Sequence, residues 1–331
     1  MDFFQPDPDF LFSIAIMILI QKPIRINQTL IFLFSIAIMI LIQKPIRINR
    51  TLIFYRIVIF PFSFVPIIEK GVLHFLIMNT NTFPMQVTFL GTNGWYDTPT
   101  GNTVSVLVRT REYDIIFDAG NGIAKADRYI SQEKPVYLFL SHFDIDHIAG
   151  LHTLVKFRLK QGLTIYCIPG GSAFLHTFVG EPFTVPLGKL PYPARIRELE
   201  EGVHKHPFTL ECRPLVHTVP CYGYRVEIDG KVIAFCTDTG VCDNAVTLAR
   251  NADLLITECG LKPGDSSPDW PHLNPQDAIG IAKRAQAKRL ALVHFGATVY
   301  TTIEERNAVE EEFGKISPGL IAATDDLTIE I

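Results

Sequence analysis

Seven consecutive residues, Ser-His-Phe-Asp-Ile-Asp-His at positions 141–147, constrain this chain more than any other feature. They directly follow residues 136–140, a continuous apolar run that is typical of a strand buried on both faces. Ligand sites form at such strand ends in open α/β sheets. Two aspartates crowded between two histidines add nothing to stability unless a cation neutralises them. The run therefore predicts a site for zinc, manganese or iron(II), with four potential ligands: His142, Asp144, Asp146 and His147.

The elements around this run indicate an α/β protein. The predicted strands cover residues 86–91, 103–109, 113–117, 136–140, 209–216, 222–228, 232–236, 254–257 and 289–293. The predicted helices cover residues 148–159 and 242–250, and two more begin after the N-caps Asn274 and Thr302. Residues 162–206 are rich in Pro and Gly and resist assignment. Strand-rich and alternating segments together favour two packed sheets with helices outside.

The metal-binding run resembles the HxHxDH signature of the metallo-β-lactamase superfamily, and residues 85–331 resemble its four-layer αββα sandwich. Further landmarks of that family follow in order along the chain, each at the end of a predicted strand: His217, Asp238 and His294. Asp118 matches the buried carboxylate that lies beneath the family's metal loop, where it can orient a ligand histidine.

The resemblance implies two divalent metal ions. The first is expected to bind His142, His217 and the residue at position 144, and the second Asp146, His147 and His294, with Asp238 between them. Position 144 departs from the family, which usually has histidine there, because this chain has Asp144. We expect Zn²⁺, with Mn²⁺ or Fe²⁺ as alternatives, since a carboxylate is a harder ligand than imidazole.

A second pair of residues directs the expected chemistry towards phosphodiesters. Glu258 and His272 resemble the Glu…His pair of the ribonuclease Z and phosphodiesterase branch, in which the histidine protonates the leaving oxygen and the glutamate orients it. His272 also lies two residues before a predicted helix N-terminus, where free N–H groups favour phosphate. The resemblance implies hydrolysis by a hydroxide that two metals activate, with Asp146, His272 and Glu258 as the catalytic residues.

Three other functions stay open. Typical ribonuclease Z proteins insert a long tRNA-binding arm between the third histidine and the bridging aspartate, whereas His217 and Asp238 are close in this sequence. Small or nucleotide phosphodiesters are therefore favoured over tRNA, and tRNA 3′-end processing is the nearest alternative. A thioesterase or lactonase of the glyoxalase II kind would use the same metals without His272. A non-catalytic metal-binding protein is the third, if Asp144 disables the first metal site.

Residues 1–77 are predicted to be separate from a hydrolase domain over residues 78–331. Residues 10–31 recur at 32–53 with one change, Gln28 to Arg50, and their apolar stretches are too short to span a bilayer. We favour translation from Met78 or Met85 over a membrane-associating extension.

The hydrolase domain is acidic, with 23 basic and 30 acidic residues, which disfavours a broad grip on nucleic acid. Six cysteines without a CxxC pair indicate reduced thiols and a cytoplasmic protein. A homodimer is expected from the family. Four aromatic residues of the unassigned segment are expected to pack under the site loop rather than stack on a base: Phe174, Phe178, Phe183 and Tyr192.

Overall fold

The computed structural model describes residues 13–26, 29–41, 46–48, 51–53, 62–69, 72–79, 84–205 and 207–331, with side chains from residue 84 onward. The chain divides into two compact units, Met1–Phe83 and Pro84–Ile331. The division lies six residues beyond the predicted one at 77/78, because residues 72–79 form a strand of the first unit.

The first unit contains only strands among its described residues. In chain order they are β1 (Ser13–Ile26), β2 (Thr29–Leu41), β3 (Ile46–Ile48), β4 (Thr51–Ile53), β5 (Phe62–Glu69) and β6 (Val72–Asn79). A four-stranded sheet has the order β1-β2-β5-β6, and β3 pairs with β4. Over the part of the chain that is described, no helix is long and apolar enough to cross a membrane. Membrane association of residues 1–77 stays the alternative to the favoured prediction, translation from Met78 or Met85.

The second unit is built on two mixed sheets. Its strands are β7 (Gln86–Gly91), β8 (Asn93–Gly94), β9 (Ser105–Arg109), β10 (Asp114–Phe117), β11 (Val136–Phe139), β12 (Leu163–Cys167), β13 (Ala194–Glu198), β14 (Gly202–His204), β15 (Thr209–Pro214), β16 (Tyr222–Ile228), β17 (Lys231–Cys236), β18 (Leu254–Cys259), β19 (Leu290–Gly296), β20 (Leu320–Ala322) and β21 (Thr328–Glu330). The first sheet has the order β13-β12-β11-β10-β9-β7-β21. The second has the order β14-β15-β16-β17-β18-β19-β20, and β8 pairs with β19 beyond that path.

Helices cover the outer face of each sheet. The α-helices are α1 (Ile145–Ile148), α2 (Gly171–Phe178), α3 (Asp243–Leu248), α4 (Pro275–Ala285) and α5 (Ile303–Phe313), and 3₁₀ helices cover Asn121–Arg128, Ala149–Lys156 and Leu187–Lys189.

Three apolar cores separate the four layers. One lies between the sheets and includes Phe117, Phe139 and Phe235, whose rings stack or tilt against one another. The other two lie between a sheet and its helices. This arrangement of four layers confirms the predicted αββα sandwich. The layers form because each sheet is apolar on both faces and must pack against a partner on each side.

The sequence located most elements around the site to within a few residues. Helix α4 begins after Asn274, whose side chain accepts a hydrogen bond from the Asp277 N–H, and α5 begins at the predicted capping box of Thr302 and Glu305. The helix expected over residues 148–159 is wrong in type. One α-helical turn at 145–148 continues as a 3₁₀ helix, in which Gly150 packs so closely on the Gly120 carbonyl that a Cβ would meet it at 2.2 Å.

A buried hydrogen bond between the sheets supports the metal loop. The Tyr224 hydroxyl, on β16, donates to the Leu140 carbonyl at 2.6 Å, and the Tyr222 N–H donates to the Ser141 carbonyl at 2.9 Å. These two bonds tie the end of the β11 segment to the second sheet, directly before the residues of the predicted metal site.

We expect Tyr224→Phe to lower the free energy of unfolding by about 1–3 kcal/mol, because the Leu140 carbonyl loses a buried donor. Urea denaturation followed by circular dichroism measures the change. Tyr129→Phe is the matched control, since the Tyr129 hydroxyl donates to Asp326 at the surface and its loss should cost less than about 0.5 kcal/mol. Equal costs for the two variants would show that the Tyr224 bond does not support the loop.

Candidate metal centre

Asp118 fixes the loop that carries the predicted ligands. It follows β10 in a left-handed backbone conformation, with φ of 55°, and is fully buried. Its carboxylate accepts hydrogen bonds from the Ser141 N–H at 2.7 Å, the Ser141 hydroxyl at 2.8 Å and Nδ1 of His147 at 2.7 Å. His147 is thereby held with Nε2 directed at Asp146 and Asp238, which lie 3.6 and 3.5 Å away.

The first group of predicted ligands consists of His142, Asp144 and His217. Oδ2 of Asp144 lies 3.5 Å from Nε2 of His142 and 3.4 Å from Nε2 of His217. Nδ1 of His142 contacts the Ser141 hydroxyl at 2.8 Å, so its Nε2 is the nitrogen that faces the group. The neighbouring imidazoles of His142 and His217 lower the pKa of Asp144, which keeps it ionised as a ligand must be.

The second group consists of Asp146, His147 and His294. Oδ2 of Asp146 lies 3.1 Å from Nε2 of His294 and 3.6 Å from Nε2 of His147. The rings of His142 and His147 are 4.0 Å apart, so the two groups adjoin.

Asp238 lies where the two groups meet. One of its oxygens is 3.5 Å from Nε2 of His147, and the other is 3.2 Å from Nε2 of His294 and 4.0 Å from Nε2 of His142. This is the position that the sequence prediction gives to a bridging carboxylate.

The chemistry of these donors fits divalent metal ions. Nε2 of His142 and of His147 are buried without a hydrogen-bond partner, which is costly for a polar atom unless a ligand satisfies it. Burial and the neighbouring His147 lower the pKa of His142, and a neutral imidazole is the form that binds metal. Three carboxylates nearby supply the negative charge that a cation would neutralise: Asp144, Asp146 and Asp238.

Glu258 and His272 stand beside this cluster. Both oxygens of the fully buried Glu258 lie within 2.9 Å of Nδ1 of His272, and they also accept from the N–H groups of Thr239 and Leu273. Burial lowers the pKa of His272, but the charge and hydrogen bond of Glu258 outweigh it and raise the pKa to about 9.

A ring nitrogen of His272 lies within 4.8 Å of ligand atoms of His217 and Asp238. The structure therefore brings together every predicted site residue, although several come from distant parts of the chain.

The loop after β7 contributes features that the sequence prediction missed. The Trp95 N–H donates to Oδ2 of Asp146 at 2.7 Å. Gly94, in β8, lies against His294 so closely that an added Cβ would be 2.5 Å from the imidazole. The fully buried Arg306, on α5, holds this loop by donating to Thr92 and Asn93. No local motif marks these residues, because each acts on a partner far away in sequence.

The aromatic prediction is wrong for Phe183 and only partly right for Phe174, whose exposed ring packs edge-on against Phe143 of the site loop at 5.3 Å. Tyr192 is buried and Phe178 packs on the outer core, as expected, but Phe174 and Phe183 are 60% and 70% exposed. The site cavity is instead lined by Trp95 and Trp270.

Comparisons with known proteins place this arrangement in a family. A sequence model described as "Beta-lactamase superfamily domain" matches residues 113–295, which include every residue of the cluster. The chain belongs to the metallo-β-lactamase superfamily. It is a metal-dependent hydrolase near the ribonuclease Z branch, which confirms the sequence prediction of fold and family.

Two curated relatives of this metallo-β-lactamase superfamily protein represent that branch. The ribonuclease Z of Bacillus licheniformis is 28% identical over 312 aligned positions, which take in 75% of this chain and 99% of that protein. The probable metallo-hydrolase YhfI of Bacillus subtilis is 27% identical over 220 positions, with 63% of this chain and 86% of YhfI covered. The alignment with ribonuclease Z has 312 positions, which is more than the 75% of this 331-residue chain that it includes. The ribonuclease Z therefore has segments without a counterpart in this chain.

Solved structures agree on the fold. The short form of human tRNase Z, known from a crystal structure, is 25% identical to this chain with a TM-score of 0.58. The match covers 74% of this chain and 98% of the tRNase Z chain. A diphosphatase from the PhnP family is 18% identical with a TM-score of 0.56, and covers 75% of this chain and 98% of its own. At 18% identity the second likeness shows the shared sandwich alone.

We expect Gly94→Ala to lower the affinity for divalent metal at least about tenfold, because the new methyl group displaces the His294 ring. Metal titration followed by calorimetry measures the affinity. Gly280→Ala is the control, since Gly280 lies in α4 with open space at its Cβ position. Unchanged metal affinity in Gly94→Ala would mean that His294 does not contribute to metal binding.

Proposed function

We propose that this protein is a two-metal phosphodiesterase that hydrolyses small or nucleotide phosphodiesters. The observation that carries the proposal is the Glu258–His272 pair, because His272 lines the same cavity as five of the seven candidate ligands and is held there by Glu258. A thioesterase needs the metal ligands but has no use for a held proton donor beside them, because a thiolate leaves without being protonated.

The candidate ligands divide between two metal positions. His142, Asp144 and His217 would hold one ion, and Asp146, His147 and His294 the other, with Asp238 shared. When bound, the ions supply an activated water and neutralise charge on the phosphoryl oxygens. We propose Zn²⁺ as the metal, with Mn²⁺ or Fe²⁺ as alternatives, because the carboxylate of Asp144 replaces a softer imidazole at the first position.

His272 is positioned to deliver a proton. Its Nδ1 is held by Glu258, so Nε2 is the nitrogen available to a leaving oxygen in the cavity. The Glu258 carboxylate also accepts from the backbone N–H groups of Thr239, Gly260 and Leu273, which fixes its orientation and therefore that of the imidazole. Loss of the leaving alkoxide requires such a proton, since an alkoxide is a poor leaving group in water.

The cavity favours small substrates. Its volume is about 320 Å³, which is in the range of small-ligand sites. Of the described residues that line it, none is lysine or arginine. A long RNA would need several such cations along its path, because phosphate contacts supply most of the affinity of nucleic-acid binding.

RNA processing is the second candidate, and one finding favours it. A relative named ribonuclease Z aligns over 99% of its own length. Against this stand the acidic composition of residues 78–331 and the segments that the relative has and this chain lacks. A short RNA end that reaches the cavity without an arm would be compatible with the same chemistry.

We expect the effect of His272→Ala to depend on the leaving group. With thymidylyl-thymidine, whose leaving group is an alkoxide, kcat should fall by about 10²–10⁴-fold, because the proton donor is missing. With the 4-nitrophenyl ester of thymidine 5′-phosphate the loss should stay below about tenfold, because nitrophenolate leaves without a proton. Steady-state kinetics of the zinc-loaded protein measures both.

His176→Ala serves as the matched control, because His176 is exposed and does not line the cavity. An equal loss with both esters would remove the proton-donor role from His272. Hydrolysis of a thioester but of neither phosphodiester by the zinc-loaded protein would contradict the proposed function and support the glyoxalase II alternative.

A further inference from the structure

Two exposed tryptophans line the candidate metal cavity, and they are the only two in the sequence. Trp95 is 71% exposed and Trp270 is 50% exposed. Their rings are nearly parallel, with an angle of 11° and centroids 6.5 Å apart. Large apolar side chains that stay exposed side by side mark a binding surface, because a soluble domain otherwise buries them.

Both tryptophans are held at the edge of the reaction site. The Trp95 N–H donates to Asp146, a candidate metal ligand, and its backbone has φ of 72°, which a bulky residue adopts only when its surroundings impose it. Trp270 lies two residues before His272, and its ring is 6.4 Å from the rings of both His217 and His272. A planar group on these rings would therefore lie beside a candidate metal ligand, His217, and the proposed proton donor, His272.

We infer that Trp95 and Trp270 form a stacking subsite for the nucleobase of a nucleotide phosphodiester. The inference rests on the proposed function, which supplies the phosphate end of the ligand. Stacking on an aromatic face accepts any base, since each has a π-face, and it needs no positive charge. It thus suits a cavity whose described lining contains no lysine or arginine. The subsite selects nucleotide esters over phosphodiesters that lack a base.

Intrinsic fluorescence reports on this subsite directly, because no other tryptophan contributes. We expect AMP, added to the zinc-loaded full-length protein, to quench the fluorescence saturably, whereas ribose 5-phosphate, which lacks the base, does not. Trp270→Leu and Trp95→Leu each leave one reporter, and each should weaken AMP binding about tenfold. Trp270→Phe keeps an aromatic face and should stay within about threefold of the wild-type affinity.

Hydrolysis provides an independent readout. Trp270→Leu should lower kcat/KM about tenfold more for thymidine 5′-(4-nitrophenyl phosphate) than for methyl 4-nitrophenyl phosphate, because only the first has a base. Phe183→Leu, at an exposed aromatic residue outside the cavity, is the control.

Equal quenching by AMP and ribose 5-phosphate, or equal losses with both esters, would overturn the subsite. If neither ester is hydrolysed by the wild-type protein, the proposed function fails, and the fluorescence titration still decides whether a base binds.

Discussion

Three carboxylates and four imidazoles converge in one cluster supplied by both sheets, and the arrangement of the site depends on how their charges are balanced. Asp144, Asp146 and Asp238 lie within 3.1–4.0 Å of histidine nitrogens. Such crowding costs free energy unless a cation is bound, because like charges repel one another and each carboxylate loses hydration when it is buried. The buried and unpartnered Nε2 atoms of His142 and His147 indicate the same requirement. The divalent metal that this superfamily binds would be that cation.

The sandwich serves this site by holding its residues from both sides. Asp118 and the loop after β11 belong to the first sheet, whereas Asp238, Glu258 and His294 belong to the second. The Tyr224–Leu140 bond joins the two sheets directly beneath the loop. Because the ligands lie at the ends of rigid strands, their relative positions are set by the apolar core between the sheets rather than by the loop alone.

The sequence predicted which residues come together better than it predicted their surroundings, and the reason is physical. His142, Asp146 and His147 lie close in sequence, and His217, Asp238 and His294 each end or follow a strand with a recognisable pattern. Residues such as Gly94 and Arg306 have no local signal, since their effect depends on a close approach of distant segments. The 3₁₀ helix at Ala149–Lys156 and the exposed Phe174 and Phe183 escaped prediction for a similar reason, because tertiary packing decides both.

In the proposed two-metal site, Asp144 completes a first metal position beside the second. Anomalous diffraction from crystals of the full-length protein grown with zinc tests it most directly. We predict two peaks per chain, one bound by His142, Asp144 and His217 and the other by Asp146, His147 and His294, with Asp238 contacting both. A single peak at the second position, with no metal beside Asp144, would contradict the two-metal account.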